Sequence, residues 1–525
     1  MTITLFGRNT ALALILSAWC GVSTAQPLVI AHRGASAVAP ENTIAAFNAA
    51  APWADFVELD VHKSSDGELV VIHDDTVDRT TNGTGSVASM TLAQLKALDA
   101  GSKADASFSS EKIPTLAEAV TAIKASGAKI LLERKSANVS AADISAALTT
   151  LNAKGDTIVQ SFDWTFIAAL HALDPAVQVG VLTSDPVTPA AISQAQATGA
   201  MMMAVNHPNI TAQVVTDVQA AGLELYAWTA NGGNIQKVHD LGVDGIITDD
   251  PRLAHDVTGR NAFVPGSLAG DLVAYWKLDD AIANPTPATV LDSKGANHGT
   301  PVASPTWLTG SAAMFGTAAQ FNGTSQRIDI PNSPDMDIGA NGVTLSLWVK
   351  LGQLPAEQSI NYAGVFDAAL DCYVIYSDKP NAELRTKVTA GTGTQAARPG
   401  IPAADLDKTG WHHVVATFTG AWGSVSGQTR IYLNGKLKDA HIGDDASTGL
   451  IKKGMTAAVK AGQITAIGAN GGSPAGSYFM GAVDDIGLWK KAVGQAEVLE
   501  IYNAGRNGQP LATLVGADVT DWTMY

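Results

Sequence analysis

Short apolar runs alternate with helix-like segments from Pro27 to about Val257. Most of the intervening segments are rich in alanine and leucine at helical spacing, as in "TLAEAVTAIKASG". Alternation of this length predicts a parallel sheet closed into a (β/α)8 barrel, also called a TIM barrel, over residues 27–257. Nine runs are present, one more than the barrel needs: 28–32, 55–61, 68–74, 129–135, 157–162, 177–183, 201–205, 223–229 and 245–248.

The third run, residues 68–74, is the one that we expect to stand apart from the barrel. Only "HKSSDG" separates it from the second run, and this segment is too short for the helical crossover that parallel neighbours require. We therefore predict that the third run extends the mouth of the barrel.

The pattern changes after residues 258–271, which we interpret as a linker. Helical periodicity nearly disappears, and alternating strands such as "VTLSLWVK" and "WHHVVATFTG" follow, separated by turns such as Asn-Gly at 434–435. This pattern is typical of an all-β sandwich. We predict the sandwich, with one closing helix, over 272–505 and a C-terminal tail over 506–525.

The charge balance limits the classes of partner. The chain carries 33 basic and 49 acidic residues, and its formal net charge is −16. This balance argues against a general nucleic-acid binder and against attachment to anionic lipid by charge. A local basic pocket for one phosphate group remains compatible with it.

Residues 1–25 have the features of a signal peptide. Arg8 precedes a short apolar stretch, "ALALILSAW", and "STA" before Gln26 resembles a cleavage site. We expect an exported protein, periplasmic or extracellular, and no transmembrane segment. Cys20 would leave with the signal peptide, so Cys372 would remain without an intrachain disulfide partner.

Acidic side chains lie at the ends of two predicted barrel strands. Glu58, Asp60 and His62 alternate along one strand and therefore share one face, and Glu133 and Lys135 do the same on another. Buried carboxylates need a partner, and a divalent cation bound by oxygen ligands is a natural one. A solvated acidic face is the alternative, and His62 has the weakest case for a functional role.

Histidines and further cations follow other strand ends. The first run ends at His32, which Arg33 follows, and the third run contains His73 next to its last residue. In parallel α/β folds, ligands bind at this end of the strands. A metal, two cations and an acid/base pair of histidines would together suit phosphodiester cleavage. A histidine at one strand end is usually structural, so the interpretation depends on the convergence of all these groups.

The barrel sequence resembles the glycerophosphodiester phosphodiesterase family. The matching segments occur in family order: "AHRGASAVAPENT", "VELDV", "DGELVVIHDDTVDRTTNGTG", "LDAGS", "IPTLAEAV", "LLERK", "QSF", "AWTAN" and "DGIITDDP". The resemblance implies a TIM barrel with a small insertion within about 75–113, and one divalent cation, Ca²⁺ or Mg²⁺. It implies roles by position: metal ligands Glu58, Asp60 and Glu133, acid/base residues His32 and His73, phosphate contacts Arg33 and Lys135, and a pocket wall at Trp228.

The resemblance also implies a mechanism. A glycerol hydroxyl of the substrate attacks the adjacent phosphorus, the head-group alcohol leaves, and a cyclic phosphate is then hydrolysed to glycerol 3-phosphate. Which histidine is the acid in the first step stays open. Glu41 follows the first strand in the same segment, and it either orients a ligand or water or only favours a helix N-terminus.

The second half resembles laminin-G and concanavalin-like jelly-roll domains. The segments that carry this resemblance include "LVAYWKLDD", "LDSKGANHGT", "AAQFNGTSQRIDIP" and "GAVDDIGLWKKAVGQAEVLEIYNAG". Such domains serve many functions, and surface or glycan targeting is the role that we expect here. Asp292 and Asp484 lie where these domains often hold a structural Ca²⁺, although ordinary turn aspartates are an equal alternative.

Three functions follow for testing. The first is metal-dependent hydrolysis of small glycerophosphodiesters. The second is a phosphodiesterase acting on a glycerol-phosphate polymer or a lysophospholipid. The third is a surface-binding protein with an inactive barrel, which the retention of all five metal-binding and acid/base side chains argues against.

Overall fold

The computed structural model describes residues 26–261, 263–337, 341–368, 373–388, 398–419, 427–442, 464–470 and 477–515. The predicted signal peptide at 1–25, Cys372 and residues 516–525 of the predicted tail lie outside the described residues. Within the described part of the chain, no helix combines the length and apolar character that a membrane crossing needs.

The first half is a closed barrel of eight parallel strands, as predicted. The extra run forms β3, which pairs antiparallel with β2 at the mouth and does not enter the closed ring. The remaining strands close because β1 pairs with both β2 and β9. The strand bounds are β1 Leu28–Ala31, β2 Phe56–Lys63, β3 Leu69–Val71, β4 Lys129–Arg134, β5 Thr157–Ser161, β6 Gln178–Thr183, β7 Met202–Asn206, β8 Glu224–Trp228 and β9 Gly245–Thr248.

Helices surround this barrel. Several begin at a side-chain cap: Thr43 accepts a hydrogen bond from the amide of Ala46, and Thr115 forms a capping box with Glu118. The described helices are α1 Ile44–Ala50, α2 Leu92–Ala97, α3 Leu116–Ser126, α4 Ala141–Thr150, α5 Trp164–Leu173, α6 Pro189–Ala197, α7 Ala212–Ala220, α8 Gly233–Leu241 and α9 Pro251–Val257. The predicted insertion contains α2 and has a small apolar core of its own, which includes Val77, Val87 and Leu95.

The second half is a sandwich of two antiparallel sheets, as predicted. One sheet has the order β12-β13-β24-β15-β20-β21-β22, with β10 on β24, and the other has the order β11-β14-β23-β16-β17-β18-β19. The bounds are β10 Leu272–Trp276, β11 Thr300–Val302, β12 Thr306–Thr309, β13 Thr317–Asn322, β14 Arg327–Pro331, β15 Val343–Leu351, β16 Tyr362–Ala368, β17 Tyr373–Asp378, β18 Glu383–Val388, β19 Gly400–Pro402, β20 His412–Phe418, β21 Gln428–Leu433, β22 Lys436–Ile442, β23 Ile464–Ile467 and β24 Met480–Trp489.

Helices α10 (Gln495–Arg506) and α11 (Ala512–Val515) follow the last strand. The chain beyond α10, which we predicted as a tail, is packed as far as it is described. Leu511 is buried, and its amide donates a hydrogen bond to Oδ2 of Asp485. The segment 258–271 is also packed, since the indole of Trp489 donates to the carbonyl oxygen of Leu268.

The barrel and the sandwich share a buried interface. Nη1 of Arg430 on β21 lies 2.6 Å from Oδ2 of Asp256 on α9, and both side chains are buried. Gln428, also on β21, donates to Oδ2 of Asp250 at 2.7 Å. One apolar cluster runs from the barrel wall to Tyr432 of the sandwich. Losing one partner of a buried ion pair is costly, so these contacts hold the two domains in one arrangement.

Candidate active site

The predicted site residues converge at the carboxyl ends of the barrel strands. Glu58 and Asp60 point inward from β2, and Glu133 points inward from the adjacent β4, whose register pairs Asp60 with Glu133. The other members lie one or two residues beyond a strand: His32 and Arg33 after β1, His73 after β3 and Lys135 after β4.

A tight turn after β1 brings the backbone of Arg33 into the site. Arg33 and Gly34 both have positive φ, 57° and 82°. A Cβ on Gly34 would lie 2.6 Å from the backbone carbon of Ala46, so only glycine fits. The turn directs the amide of Arg33 toward Glu58, whose Oε2 accepts its hydrogen bond at 2.7 Å.

Glu58, Asp60 and Glu133 form an acidic triad. One carboxylate oxygen of each lies within 4.8 Å of the others, and all three side chains are buried. Oε1 of Glu58 is buried and accepts no hydrogen bond from any residue that the structure describes. A buried acceptor without a donor is costly, and a hard divalent cation bound by oxygen would relieve that cost. The triad therefore fits such a cation.

The pKa values of the triad also indicate that a cation is needed to balance its negative charges. Burial, with the negative charges of Asp60 and Glu133, raises the pKa of Glu58 well above its usual value. Burial also raises the pKa of Glu133 to about 7, and Asp60 adds to this shift. Burial alone would also raise the pKa of Asp60, but the positive charges of Arg33 and Lys135 lower it below its usual value. Carboxylates whose charges destabilise one another are suited to share a cation.

The two predicted phosphate contacts lie beside the triad. Nε of Arg33 lies 3.4 Å from Oδ2 of Asp60, and Nζ of Lys135 lies 2.7 Å from Oε1 of Glu133. Both side chains are largely buried at the mouth. Because a guanidinium and an ammonium have several N–H donors, each can contact an anion while it keeps one carboxylate partner.

His32 is oriented by an acidic residue that the sequence analysis did not identify. Nδ1 of His32 lies 2.7 Å from Oδ1 of Asp249, which directly follows β9. The same carboxylate accepts a hydrogen bond from Ser36 at 2.9 Å and another from Asn231. The sequence did contain a signal for Asp249, because this residue directly follows a barrel strand, as several of the predicted site residues do.

The contacts of His73 fix its neutral form. Nδ1 lies 2.6 Å from Oδ1 of Asp74, and Nε2 lies 3.1 Å from Nζ of Lys135. An ammonium only donates, so Nε2 accepts and the ring proton is on Nδ1. Burial lowers the pKa of His73, in agreement with a neutral ring. His73 is therefore arranged to take up a proton at Nε2.

Glu41 bridges two arginines above the site. It accepts from Nη1 of Arg33 at 3.0 Å and from Nη1 of Arg79 at 2.6 Å, and Arg79 also donates to Asp74. Burial would raise the pKa of Glu41, but the two arginines lower it. Arg79, from the insertion, thus links Glu41 to the partner of His73. The sequence analysis identified neither Arg79 nor Asn42, which donates to Asp60 at 2.8 Å.

Two other predicted positions lie at the edge of the site. Trp228, at the end of β8, is partly exposed, packs edge-on against Phe162 and donates to the carbonyl oxygen of Ala204. Its ring can form a wall of the mouth. His62 is buried, and its Nε2 lies 3.1 Å from the carbonyl oxygen of His73, so it supports the backbone there.

Asp292 and Asp484 both accept hydrogen bonds from backbone amides of the sandwich. The oxygens of Asp292 accept from the amides of Tyr275, Lys294 and Asn297. Oδ2 of Asp484 accepts from the amides of Met314 and Phe315. Neither residue belongs to a group of three possible ligands among the described residues. Both carboxylates satisfy backbone donors, and a structural Ca²⁺ at this pair stays a prediction.

Comparisons with known proteins agree with this geometry. The model of the glycerophosphoryl diester phosphodiesterase family matches residues 32–253. The Bacillus subtilis protein YhdW is 39% identical over 230 residues, covering 42% of this chain and 94% of the relative. The glycerophosphodiester phosphodiesterase of Caldanaerobacter subterraneus subsp. tengcongensis is 39% identical over 234 residues, covering 43% of this chain and 94% of the relative.

This chain belongs to the glycerophosphodiester phosphodiesterase family. It is a phosphoric diester hydrolase, and the predicted enzyme class is confirmed. A solved phosphodiesterase from Oleispira antarctica, in complex with the product sn-glycerol 3-phosphate, is 32% identical with a TM-score of 0.42, covering 44% of this chain and 96% of that one. Residues 322–499 match the concanavalin A-like lectin/glucanase superfamily, in agreement with the predicted sandwich.

Proposed function

We propose that this glycerophosphodiester phosphodiesterase depends on one divalent cation, Ca²⁺ or Mg²⁺, and on acid/base catalysis by His32 and His73. The observation that carries the proposal is the position of both imidazoles beside the buried acidic triad. Glu58, Asp60 and Glu133 would hold the cation, which as a Lewis acid would offset negative charge on the phosphate.

The side chains of the chain account for the first step. Nε2 of His73 takes the proton from a glycerol hydroxyl, whose oxygen then forms a bond to the adjacent phosphorus. The bond from phosphorus to the head-group oxygen breaks, and His32 gives this oxygen a proton. Arg33 and Lys135 offset the charge that develops on the phosphoryl oxygens.

In the second step the two histidines exchange roles. His32, now unprotonated, takes a proton from a water molecule that attacks the cyclic phosphate. The water oxygen forms a bond to phosphorus, and the ring bond between phosphorus and the glycerol oxygen that attacked in the first step breaks. His73 gives that oxygen its proton, and the product is glycerol 3-phosphate. The assignment of His73 as the first base depends on its Nε2, which accepts from Lys135 and is therefore unprotonated. Its lone pair becomes available when Lys135 turns its N–H donor to the phosphate.

The activity is tested on the full chain after removal of metal by a chelator. We expect release of glycerol 3-phosphate from glycerophosphocholine only after Ca²⁺ or Mg²⁺ is restored, because the triad needs a cation to balance its charges. The measurement is a coupled assay for glycerol 3-phosphate. Full activity in chelator would contradict metal dependence, and folded, metal-loaded protein without activity on any glycerophosphodiester would contradict the substrate class.

We propose longer phosphodiesters as a second class of substrate. A polar groove of about 610 Å³ lies between the domains, bordered by Asn231 of the barrel and by Lys436 and Lys438 of the sandwich. Since Asn231 contacts the partner of His32, a glycerol-phosphate polymer or a lysophospholipid head group could extend from the site into this groove. The same assay with these longer substrates distinguishes the two classes of substrate. If the longer substrates are preferred, the sandwich would contribute to glycan or surface binding.

We also propose that the protein is exported and that residues 1–25 are removed. The basic residue, apolar stretch and small residues before Gln26 support this proposal. The expected result is a secreted or periplasmic protein whose N-terminal peptide, identified by mass spectrometry, begins at Gln26. An intact N-terminus on protein recovered from the cytoplasm would contradict it.

A further inference from the structure

The sandwich contacts a loop of the catalytic face. Residues 229–232 connect β8 to α8, and strand β22 of the sandwich crosses the end of this loop. A Cβ on Gly233 would lie 1.9 Å from the carbonyl oxygen of Lys438, and one on Gly232 would lie 3.1 Å from that of Ala440. The backbone of Gly232, at φ 53° and ψ −131°, is also one that side chains disfavour. The two glycines therefore permit an approach of backbone to backbone.

The residue before these glycines is bonded to the partner of His32. Oδ1 of Asn231 accepts from the amide of Asp249 and from Oγ1 of Thr248, both at 3.0 Å. Nδ2 of Asn231 donates to Oδ2 of Asp249 at 2.5 Å. Oδ1 of Asp249 in turn lies 2.7 Å from Nδ1 of His32. A continuous set of contacts thus connects β22 with the imidazole.

Other contacts hold β22 in place. Lys436, the first residue of the strand, forms an ion pair with Asp240 on α8 at 2.6 Å. The neighbouring β21 supplies Arg430, whose buried pairing with Asp256 anchors the sheet to α9. The loop therefore packs against a sheet that is fixed to the barrel on both sides, and the barrel alone does not provide this support.

We propose that the sandwich is a positioning part of the active site. Strand β22 supports the loop at Gly232 and Gly233, the loop fixes the side chain of Asn231, and Asn231 with Asp249 sets the orientation of His32. The inference rests on the proposed role of His32 in acid/base catalysis. Asn231 and Asp249 are positioning residues in this scheme, because they act through His32.

The decisive variant is Gly233→Ala in the full chain, since its methyl group would collide with the carbonyl of Lys438. The matched control is Gly155→Ala, because no atom lies within 4 Å of a Cβ there. With saturating metal and glycerophosphocholine, we expect kcat of Gly233→Ala to fall about 10–100-fold, as displacement of a reacting group by about 1 Å costs up to about 10²-fold. KM should change by less than about threefold, because the metal and phosphate contacts remain.

A double-mutant cycle separates positioning from general damage. Asn231→Ala removes the link to Asp249 but leaves the contact with β22 intact, and it is expected to lower kcat by a similar factor. If both substitutions act through His32, the double variant should be little worse than either single variant. If the losses of kcat in the two single variants multiply in the double variant, the inference is overturned. A kcat of Gly233→Ala equal to that of Gly155→Ala would also overturn it.

Misfolding of Gly233→Ala and inactivity of the wild type have different consequences. If Gly233→Ala does not fold, as judged by circular dichroism, the exposed pair is changed instead, and Lys436→Gln with Asp240→Asn should lower kcat by about threefold or more. Unchanged kcat in that folded variant overturns the inference. A wild-type protein without activity on any phosphodiester would overturn the proposed function, and the inference that rests on it would fall for that separate reason.

Discussion

Replacing His73 by alanine is expected to lower kcat for glycerophosphocholine by about 10²–10⁴-fold, the usual contribution of a positioned general base. Nε2 of His73 is unprotonated, because its neighbour Lys135 can only donate, and it can take a proton once Lys135 donates to the phosphate instead. KM should change little, since the metal triad and Arg33 remain. The measurement is steady-state release of glycerol 3-phosphate at saturating metal.

The control substitution is His171→Ala, because His171 lies on the outer helix α5 and away from the strand ends. It should leave kcat within about threefold of the wild-type value, because this half-buried side chain packs against Gly199 and contacts none of the site residues described above. A general base works only when unprotonated, and burial lowers the pKa of His73. The acid limb of the wild-type profile should therefore lie below about 6.5, the value of free histidine. Equal activity of the two variants would remove His73 from the mechanism.

Local sequence pattern was sufficient to predict the central part of this site. Alternation along a strand places Glu58 and Asp60 on one face whatever the rest of the fold does. The barrel rule places the ends of the parallel strands together, so Glu133 and His32 could be assigned to the same mouth. His73 was assigned there because the third run was predicted to extend the mouth. The short link before β3 likewise predicted that this strand would remain outside the closed ring.

The supporting residues could not be predicted in the same way. Asp249 reaches His32 only because barrel closure pairs β9 with β1, although more than 200 residues separate them along the chain. Asn231 contributes from a loop whose conformation depends on the sandwich. The burial of Arg430 could not be predicted from the sequence pattern either, since an arginine on an alternating strand normally indicates a face exposed to solvent.

The sequence left two roles open for Asp292, for a related reason. A carboxylate in a turn can bind a metal or accept backbone hydrogen bonds, and both uses favour the same residue at the same position. The structure adds that the amides of Tyr275, Lys294 and Asn297 face the carboxylate, and the calcium role stays a prediction.

Glu58→Gln is expected to weaken cation binding by about 10²-fold, because loss of even a supporting partner of a metal ligand costs about 10–100-fold. The substitution keeps the size of the side chain and removes one of three negative charges. Oε1 of Glu58 has no donor among the described residues, so its role in the proposal is to bind the cation. Activity at a fixed metal concentration should fall accordingly.

Thermal unfolding tests this expectation without an activity assay. A ligand present at about 100 times its Kd stabilises the folded state by about 2.7 kcal/mol, but a 100-fold weaker site at the same concentration gives only about 0.4 kcal/mol. Adding Ca²⁺ or Mg²⁺ to protein from which a chelator has removed the metal should therefore raise the Tm of the wild type and barely change that of Glu58→Gln. The control is Glu68→Gln, at an exposed position before β3, which should respond as the wild type does. If Glu58→Gln shows the full metal-dependent rise, the cation binds elsewhere, and the unpaired Oε1 of Glu58 needs another explanation.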